Sequence, residues 1–264
     1  MPNGVNDECC SIENLRLELL YMTNIQPTGK FDRLAFDLPL LHRCNSPARL
    51  EDSKLLIANS GAASRTALGV GDGNTFFWTG RCAYDPAPLI LIWAPEAERV
   101  PPNGYGAPWD TAGMMTKGTV GRNVDLDEAI STINKYSIPI SEYRTYLSMV
   151  LESCFESPTD YIDHGGKPPR WYPGRTTAPI READLPSQTF EVRRSGPVDI
   201  ACQLVAIVED STWFADGERV RLLGRLKRSF AESEVEWVKC KKGEKGYMAA
   251  ASYVRDFLRS RGHE

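Results

Sequence analysis

Residues 187–194 read SQTFEVRR, and the way this stretch folds decides how the rest of the chain is interpreted. Phe190 and Val192 alternate with Glu191 and Arg193, a period of two residues that is typical of a strand with one buried face. Glutamate is uncommon in strands, so the presence of Glu191 needs an explanation. It is either a charge on a solvated sheet face, paired with a neighbouring arginine, or a carboxylate held in place for chemistry.

The regions around this stretch predict further strands. The apolar runs DLPLLHRC (37–44) and PLILIWAP (88–95) are typical of buried strands, and the second is expected to be central in its sheet. The glycine-rich segment LGVGDGN (68–74) leads directly into an aromatic strand. The tripeptide SGP (195–197) predicts a turn, so QTFEVRR and DIACQLVAIV (199–208) are expected to form a β-hairpin-like pair.

Helix signals lie between and after these strands. Ser46 as the N-cap and Pro47 at the first helical position predict a helix that closes at Gly61. Residues 141–155 place apolar side chains on one face, which predicts a helix packed on the core. Further helices are predicted at 11–22, 125–136 and 248–262, a strand at 235–240, and either a helix or a strand at 220–230.

This mixture of elements predicts an α+β fold. At 264 residues the chain is expected to form a single domain, 1–264, with a helical insert at about 125–156. Pro/Gly-rich loops are expected at 99–124 and 157–179, on either side of that insert. Long loops inside a compact domain are frequently binding lids, so the segment 99–124 is a candidate lid.

The composition is that of a folded protein from a reducing compartment. The seven cysteines include no CxxC pair and leave one over, which favours reduced thiols in a cytosol over a disulfide framework. The three histidines, at 42, 164 and 263, are too few and too far apart to predict a zinc site, so we expect no metal. The apolar runs are too short to span a membrane and no secretory signal is seen, so we expect a cytoplasmic location, with delivery into another cell left open.

Charge is distributed unevenly along the chain. The formal net charge is −4, but residues 211–264 hold twelve Lys/Arg against eight Asp/Glu, or +4, so the first 210 residues carry −8. The net value argues against a strongly basic nucleic-acid binder. The basic clusters RVRLLGRLKRSF (219–230) and KCKKGEK (239–245) are most simply solvated faces, with a phosphate-rich partner as the alternative.

Common catalytic motifs do not account for the sequence. LGVGDGN contains a GxGxG, but a strand follows it where a dinucleotide-binding Rossmann turn requires a helix. The sequence contains no P-loop, GxSxG elbow, HExxH or kinase signature. His42 and Cys44 are two residues apart and would share one face of a strand, which leaves a Cys–His nucleophilic pair open.

Three segments have a suggestive order: LLHRCNSPARLEDSKLL (40–56), GDGNTFFWTGRCAYD (71–85) and IREADLPSQTFEVRR (180–194). They resemble the conserved blocks of the ADP-ribosyltransferase superfamily, as found in poly(ADP-ribose) polymerases and DarT-type enzymes. Those blocks are a strand ending at a histidine, a glycine turn leading into an aromatic strand, and a strand with the catalytic glutamate. The resemblance implies an α+β fold with a split, mostly antiparallel sheet and flanking helices.

The resemblance also implies an activity and a site. The protein would cleave NAD⁺ as a co-substrate and transfer ADP-ribose to a macromolecular acceptor, protein or nucleic acid, as a toxin or effector. Glu191 would stabilise the oxocarbenium-like ribose, and His42 would hydrogen-bond a ribose hydroxyl. The residues implied to bind NAD⁺ are His42, Arg43, Phe77, Tyr84, Arg65 and Arg81. The residues implied to meet the acceptor, in or beside the loop 172–188, are Trp171, Tyr172, Arg175 and Gln188.

Three other functions stay open. A DarT-like enzyme would modify nucleic acid, which the basic region after residue 210 favours and the net charge does not. A non-catalytic interaction protein would use the aromatic Pro/Gly loops as its binding surface, and Glu191→Ala would then leave its activity in cells unchanged. An unrelated hydrolase would use Cys44 and His42, and thiol alkylation would inactivate it.

Overall fold

The strand that carries Glu191 belongs to an eight-stranded sheet in the part of the chain that the structure describes. The computed structural model describes residues 28–53, 55–56, 74–81, 87–96, 104–107, 138–167, 190–195, 198–199 and 203–264. The strands within these ranges are β1 Leu40–Cys44, β2 Leu55–Leu56, β3 Asn74–Thr79, β4 Leu89–Trp93, β5 Gly104–Ala107, β6 Ile138–Pro139, β7 Glu191–Ser195, β8 Val198–Asp199, β9 Leu204–Glu209 and β10 Glu236–Lys239. The order across the sheet is β10-β9-β4-β1-β3-β7-β5-β6, while β2 and β8 form a separate pair.

Six helices lie before, between and after the strands within the described residues. They are α1 Asp32–Asp37, α2 Pro47–Ser53, α3 Ile140–Cys154, α4 Pro158–Asp163, α5 Gly217–Ser229 and α6 Gly246–Ser260. α5 connects the parallel strands β9 and β10, and the other paired strands of the sheet run antiparallel. The fold is therefore α+β, as the order of elements predicts, with an open sheet that is mostly antiparallel, as the resemblance implies.

The core lies on both faces of β4. Its five residues, LILIW, are all buried, at 0 to 2% exposure, and β4 pairs with β1 on one side and β9 on the other. A strand that is covered on both faces needs no polar alternation, which explains the continuous apolar run. α6 packs over β4 and β9, while α3 packs against β5, β6 and α1. The prediction that this strand is central is confirmed.

α3 carries the apolar face that its sequence predicts. Tyr143, Leu147, Val150 and Leu151 are 0% exposed and recur at the spacing of one helix face. Pro139 precedes the helix as its N-cap residue, and the backbone N–H of Phe155 donates to the carbonyl of Leu151 at its end. This helix places Tyr143 directly over the strands that neighbour β7.

The predicted β-hairpin around the turn 195–197 is wrong. β7 pairs with β3 and β5, whereas β9 pairs with β4 and β10, and β8 pairs with β2. Strands that are close in sequence are therefore separated by three others in the sheet. The apolar residues of β9, Ala206, Ile207 and Val208, are buried between β4 and β10, so this strand covers its apolar surface with partners distant from β7.

Other boundaries also differ from the predictions. The helix that begins at Pro47 ends at Ser53, before the short strand β2. The segment 99–124, predicted as a loop, contains β5, and the segment 157–179 contains α4. The segment 220–230, left as a helix or a strand, is helical in α5.

The predicted helices at 11–22 and 125–136 lie outside the described residues. The described part of the predicted helical insert contains the strand β6 as well as α3. None of the helices in the described ranges combines the length and the apolar character needed to cross a bilayer.

Candidate functional site

Strand register divides the sheet into two faces. Leu41 pairs with Trp78, and Trp78 pairs with Glu191, so these three side chains project to one side, which we call the glutamate face. His42 and Phe77 are the next residues along their strands and project to the other side, the histidine face. The ring contact between His42 and Phe77, at 5.6 Å between centroids, agrees with this assignment.

The predicted partnership of His42 with Glu191 therefore needs correction. Phe77 is 2% exposed and packs between His42 and the ring of Trp93, at 5.4 Å between centroids. It is a core residue of the histidine face and cannot stack on a ligand bound beside Glu191. The two side chains predicted to act together, His42 and Glu191, are separated by the thickness of the sheet because they come from strand positions of opposite parity.

The glutamate face gathers a different set of side chains around Glu191. Trp78 and Ala107 pair with Glu191 from the neighbouring strands. Arg193 lies two residues further along β7, so its side chain is on the same face, and Tyr105 pairs with it from β5. The Arg193 guanidinium lies over the Tyr105 ring at 5.9 Å from its centroid. A carboxylate, a guanidinium and two aromatic rings thus share one surface of three adjacent strands.

Arg43 extends this surface onto β1. Its guanidinium lies over the Trp78 ring at 5.9 Å from the centroid. The Nε atom of Arg43 is buried and has no hydrogen-bond partner within the described ranges. A buried N–H without an acceptor is costly, and a bound anion would supply one. The resemblance implies that Arg43 binds NAD⁺, and the structure brings its side chain onto the glutamate face.

Burial sets the electrostatics of Glu191 and Arg193. Glu191 is 3% exposed and Arg193 is 4% exposed. Burial lowers the pKa of Arg193, and electrostatic interactions, first with Glu191 and then with Tyr105, oppose this shift. Two opposite charges held near each other in a low-dielectric region interact more strongly than they would in water. The solvated sheet face considered for Glu191 does not describe this position.

Phe190, the residue before Glu191, has an unusual backbone conformation. Its φ is +49°, in the left-handed region that favours glycine, although its side chain is a buried phenyl ring at 1% exposure. Such a conformation costs about 1–2 kcal/mol for an L-residue other than glycine. Backbone strain of this kind is concentrated at functional sites, where the surrounding structure holds it in place.

The carbonyl of Phe190 is held by two donors. It accepts hydrogen bonds from the backbone N–H of Thr79 at 3.0 Å and from the hydroxyl of Tyr143 at 2.9 Å. The Tyr143 ring reaches this point because it packs on Gly106, where an added Cβ would lie 1.9 Å from the ring. Glycine at 106 and tyrosine at 143 thus form a fixed support under the start of β7.

The remaining predicted site residues fall into two groups. Arg81 is half-buried near Tyr161, where burial raises the pKa of Tyr161 and the charges of Arg81 and Arg144 partly oppose that rise. The side chain of Tyr161 packs on Gly80. The other predicted residues lie outside the described ranges: Arg65, Tyr84, Trp171, Tyr172, Arg175 and Gln188.

Cys44 does not have the properties of a catalytic nucleophile. It lies on the histidine face with His42, as its spacing predicts, and is 5% exposed. Burial raises the pKa of its thiol to about 11, against a smaller lowering by a backbone hydrogen bond at Ser46. Thiolate is the reactive form of cysteine, so this environment disfavours the Cys–His hydrolase.

No cluster of three or more His, Cys, Asp or Glu side chains suited to a metal ion occurs among the residues that the structure describes. Comparisons with protein-family models, with curated proteins and with solved structures find no match to this chain. The case for a function therefore depends on the geometry around Glu191.

The sequence interpretation missed Trp78, Tyr105 and Tyr143 as site residues. Phe77 and Trp78 are neighbours in one aromatic strand, and only the pairing with β7 determines which of them shares the glutamate face. The signal that was available is the aromatic strand itself, because its alternate residues project to opposite faces.

Proposed function

We propose that the chain is an ADP-ribosyltransferase that cleaves NAD⁺ and transfers ADP-ribose to a macromolecular acceptor, with Glu191 as its catalytic carboxylate. The single observation that carries the proposal is the placement of Glu191. It is a buried carboxylate on a face shared with Trp78, Arg193 and Tyr105. The residue before it, Phe190, has a strained backbone whose carbonyl accepts two hydrogen bonds. An ADP-ribosyltransferase-like arrangement of the sheet is part of this proposal.

The reaction explains why a carboxylate is needed. Cleavage of the bond between nicotinamide and ribose passes through a sugar with oxocarbenium character, and nicotinamide leaves with the bonding electron pair as a neutral base. Glu191 would stabilise the positive charge that develops on the ribose, an effect that is strong where water is excluded. A nucleophilic group on the acceptor would then form the new bond to the ribose carbon and lose its proton, for which Glu191 is the available base.

The arginines supply the matching charge for a dinucleotide. The pyrophosphate of NAD⁺ is an anion, and guanidinium groups bind phosphate oxygens through paired N–H donors. Arg43 and Arg193 lie on the same face as Glu191, and the buried Nε of Arg43 lacks a protein acceptor within the described ranges. A phosphate oxygen would satisfy that donor.

The aromatic side chains supply flat surfaces for the rings of the substrate. Trp78 pairs with Glu191 in register, and Tyr105 is 47% exposed beside Arg193. A nicotinamide or adenine ring would stack on such surfaces. In this assignment Trp78, and not Phe77, stacks on the substrate, and His42 has no part in the site. Because Glu191 is 3% exposed, substrate entry requires a local opening over the glutamate face.

Transfer of label tests the proposal. The purified chain is incubated with a lysate and NAD⁺ labelled in its adenylate half, and the macromolecular fraction is separated from free nucleotide. We expect the wild-type chain to label a macromolecule and Glu191→Gln to label none. Sensitivity of the labelled fraction to protease or to nuclease would distinguish a protein acceptor from a nucleic acid. Equal labelling by the wild-type and Glu191→Gln chains would contradict the proposal.

A further inference from the structure

We infer that Tyr143 is a positioning residue whose hydroxyl fixes the peptide plane between Phe190 and Glu191, and through it the direction of the Glu191 carboxylate. The inference rests on the catalytic role proposed for Glu191. Tyr143 is 0% exposed and packs on Gly106, which pairs with Val192 and therefore lies on the histidine face. It acts from behind the strand and does not touch a substrate bound at the glutamate face.

The hydrogen-bond directions follow from the donors present. A phenol has one proton, and a backbone carbonyl only accepts. Tyr143 therefore donates to the Phe190 carbonyl at 2.9 Å, and the Thr79 hydroxyl, 3.1 Å from the phenol oxygen, donates to Tyr143. The Thr79 backbone N–H donates to the same Phe190 carbonyl at 3.0 Å. Two donors thus occupy the two acceptor positions of one carbonyl oxygen.

This carbonyl controls the residue that follows it. Its oxygen lies in the peptide plane that joins Phe190 to Glu191, so holding the oxygen holds the backbone N–H and Cα of Glu191. Phe190 is in the left-handed region, with φ of +49°, and relaxation toward negative φ would turn this plane. The bond from Tyr143 opposes that relaxation. Through this hydrogen bond, and without contact with the substrate, Tyr143 keeps Glu191 directed at the glutamate face.

The main test is Tyr143→Phe, which keeps the ring on Gly106 and removes only the hydroxyl. Tyr146→Phe is the matched control, because Tyr146 is also buried on α3, at 3% exposure. We expect Tyr143→Phe to lower kcat for nicotinamide release by at least about tenfold and to leave the KM for NAD⁺ within about twofold, since misorientation acts on the chemical step. Tyr146→Phe should change neither constant by more than about twofold. An equal loss in both variants would overturn the inference.

A second readout does not depend on catalysis. Hydrogen exchange of the Thr79 amide reports whether the Phe190 carbonyl stays in place, because that amide donates to it. In Tyr143→Phe the Thr79 amide should exchange at least about tenfold faster, with the amides of β4 unchanged. Unchanged Thr79 exchange would overturn the inference. If the Thr79 amide exchanges faster in Tyr143→Phe but the wild-type chain releases no nicotinamide, the hydrogen bond from Tyr143 positions the Phe190 carbonyl and the proposed function is overturned.

Thr79 provides a second route to the same test, including the case in which Tyr143→Phe does not fold. Thr79→Val removes the hydroxyl that donates to Tyr143 and nearly preserves the shape of the side chain. Thr79→Ser keeps the hydroxyl. We expect Thr79→Val to lower kcat and Thr79→Ser to restore most of it, with the KM for NAD⁺ unchanged in both. Equal kcat in the valine and serine variants would overturn the inference.

Discussion

Glu191 on β7 and His42 on β1 lie on either side of β3 in one sheet and project to its opposite faces, Glu191 with Trp78 and His42 with Phe77. A molecule that contacts one of these side chains cannot contact the other without passing around the sheet. The site must therefore be built on one face, and the charged and aromatic groups favour the face of Glu191 over that of His42.

His42→Ala should leave nicotinamide release within about twofold of the wild-type rate, because its ring packs on Phe77 away from the glutamate face. The measurement is steady-state release of nicotinamide, with circular dichroism to verify that the variant folds. A loss of release comparable to that of Glu191→Gln would mean that the two residues act together, contrary to their placement on opposite faces.

Arg43→Met should raise the KM for NAD⁺ by about tenfold and change kcat less, because a phosphate contact remote from the bond that breaks contributes uniform binding. Methionine keeps an unbranched apolar side chain and removes the guanidinium from over Trp78. Arg221→Met, at an exposed position on α5, is the matched control and should leave the KM unchanged. Calorimetric titration of NAD⁺ into Glu191→Gln and into the Arg43→Met/Glu191→Gln double variant measures the loss of NAD⁺ affinity without turnover. An identical NAD⁺ affinity in these two variants would show that Arg43 does not contact NAD⁺.

Gly106→Ala should be strongly destabilising, by about 3 kcal/mol or more, because the new methyl group would lie 1.9 Å from the Tyr143 ring. Gly224→Ala should have the opposite effect on stability. Gly224 lies inside α5, and the nearest atom to an added Cβ is 3.7 Å away, in the flexible Arg228 side chain. The substitution should stabilise the chain by about 0.5–1 kcal/mol. Urea unfolding of both variants checks the pair. Equal effects would contradict the packing of Tyr143 on Gly106.

Asp37→Asn should destabilise the chain at neutral pH by about 2 kcal/mol. Burial raises the pKa of Asp37. Hydrogen bonds and charges from His263 and Arg261, at 2.8 and 3.0 Å, lower it by more, so the pKa of Asp37 is below its ordinary value of 3.8. A carboxyl with a lowered pKa stabilises the fold above its unfolded pKa, and this contribution is lost as the pH falls through the folded pKa. The stability difference between wild type and Asp37→Asn should therefore shrink below about pH 4. A difference that stays constant from pH 7 down to pH 3 would contradict this.

Local patterns in the sequence were sufficient for elements that bury a continuous or alternating surface. The apolar run of β4 and the helical face of α3 were predicted because their burial follows their own periodicity. β5 was missed because its sequence, GYGA, has two glycines, and the glycine at 106 is there to make room for Tyr143 from another element. A requirement set by a distant side chain leaves no local pattern.

The candidate site was predictable in part for the same reason. Alternation in SQTFEVRR identified the strand and drew attention to Glu191, but it did not show which strands lie beside it. A shift of one residue in register moves every side chain to the other face. The pairing of Glu191 with Trp78, and not with Phe77, therefore could not be read from either strand alone.

The most direct measurement is the release of nicotinamide from NAD⁺ by the purified chain, compared with Glu191→Gln and Glu236→Gln. Glu236 is a suitable control because it is an exposed strand glutamate on the same face, at the other end of the sheet. We predict release by the wild-type chain, a loss of at least about 100-fold in Glu191→Gln, and a rate within about twofold of wild type in Glu236→Gln. No release by the wild-type chain, or undiminished release by Glu191→Gln, would contradict the account.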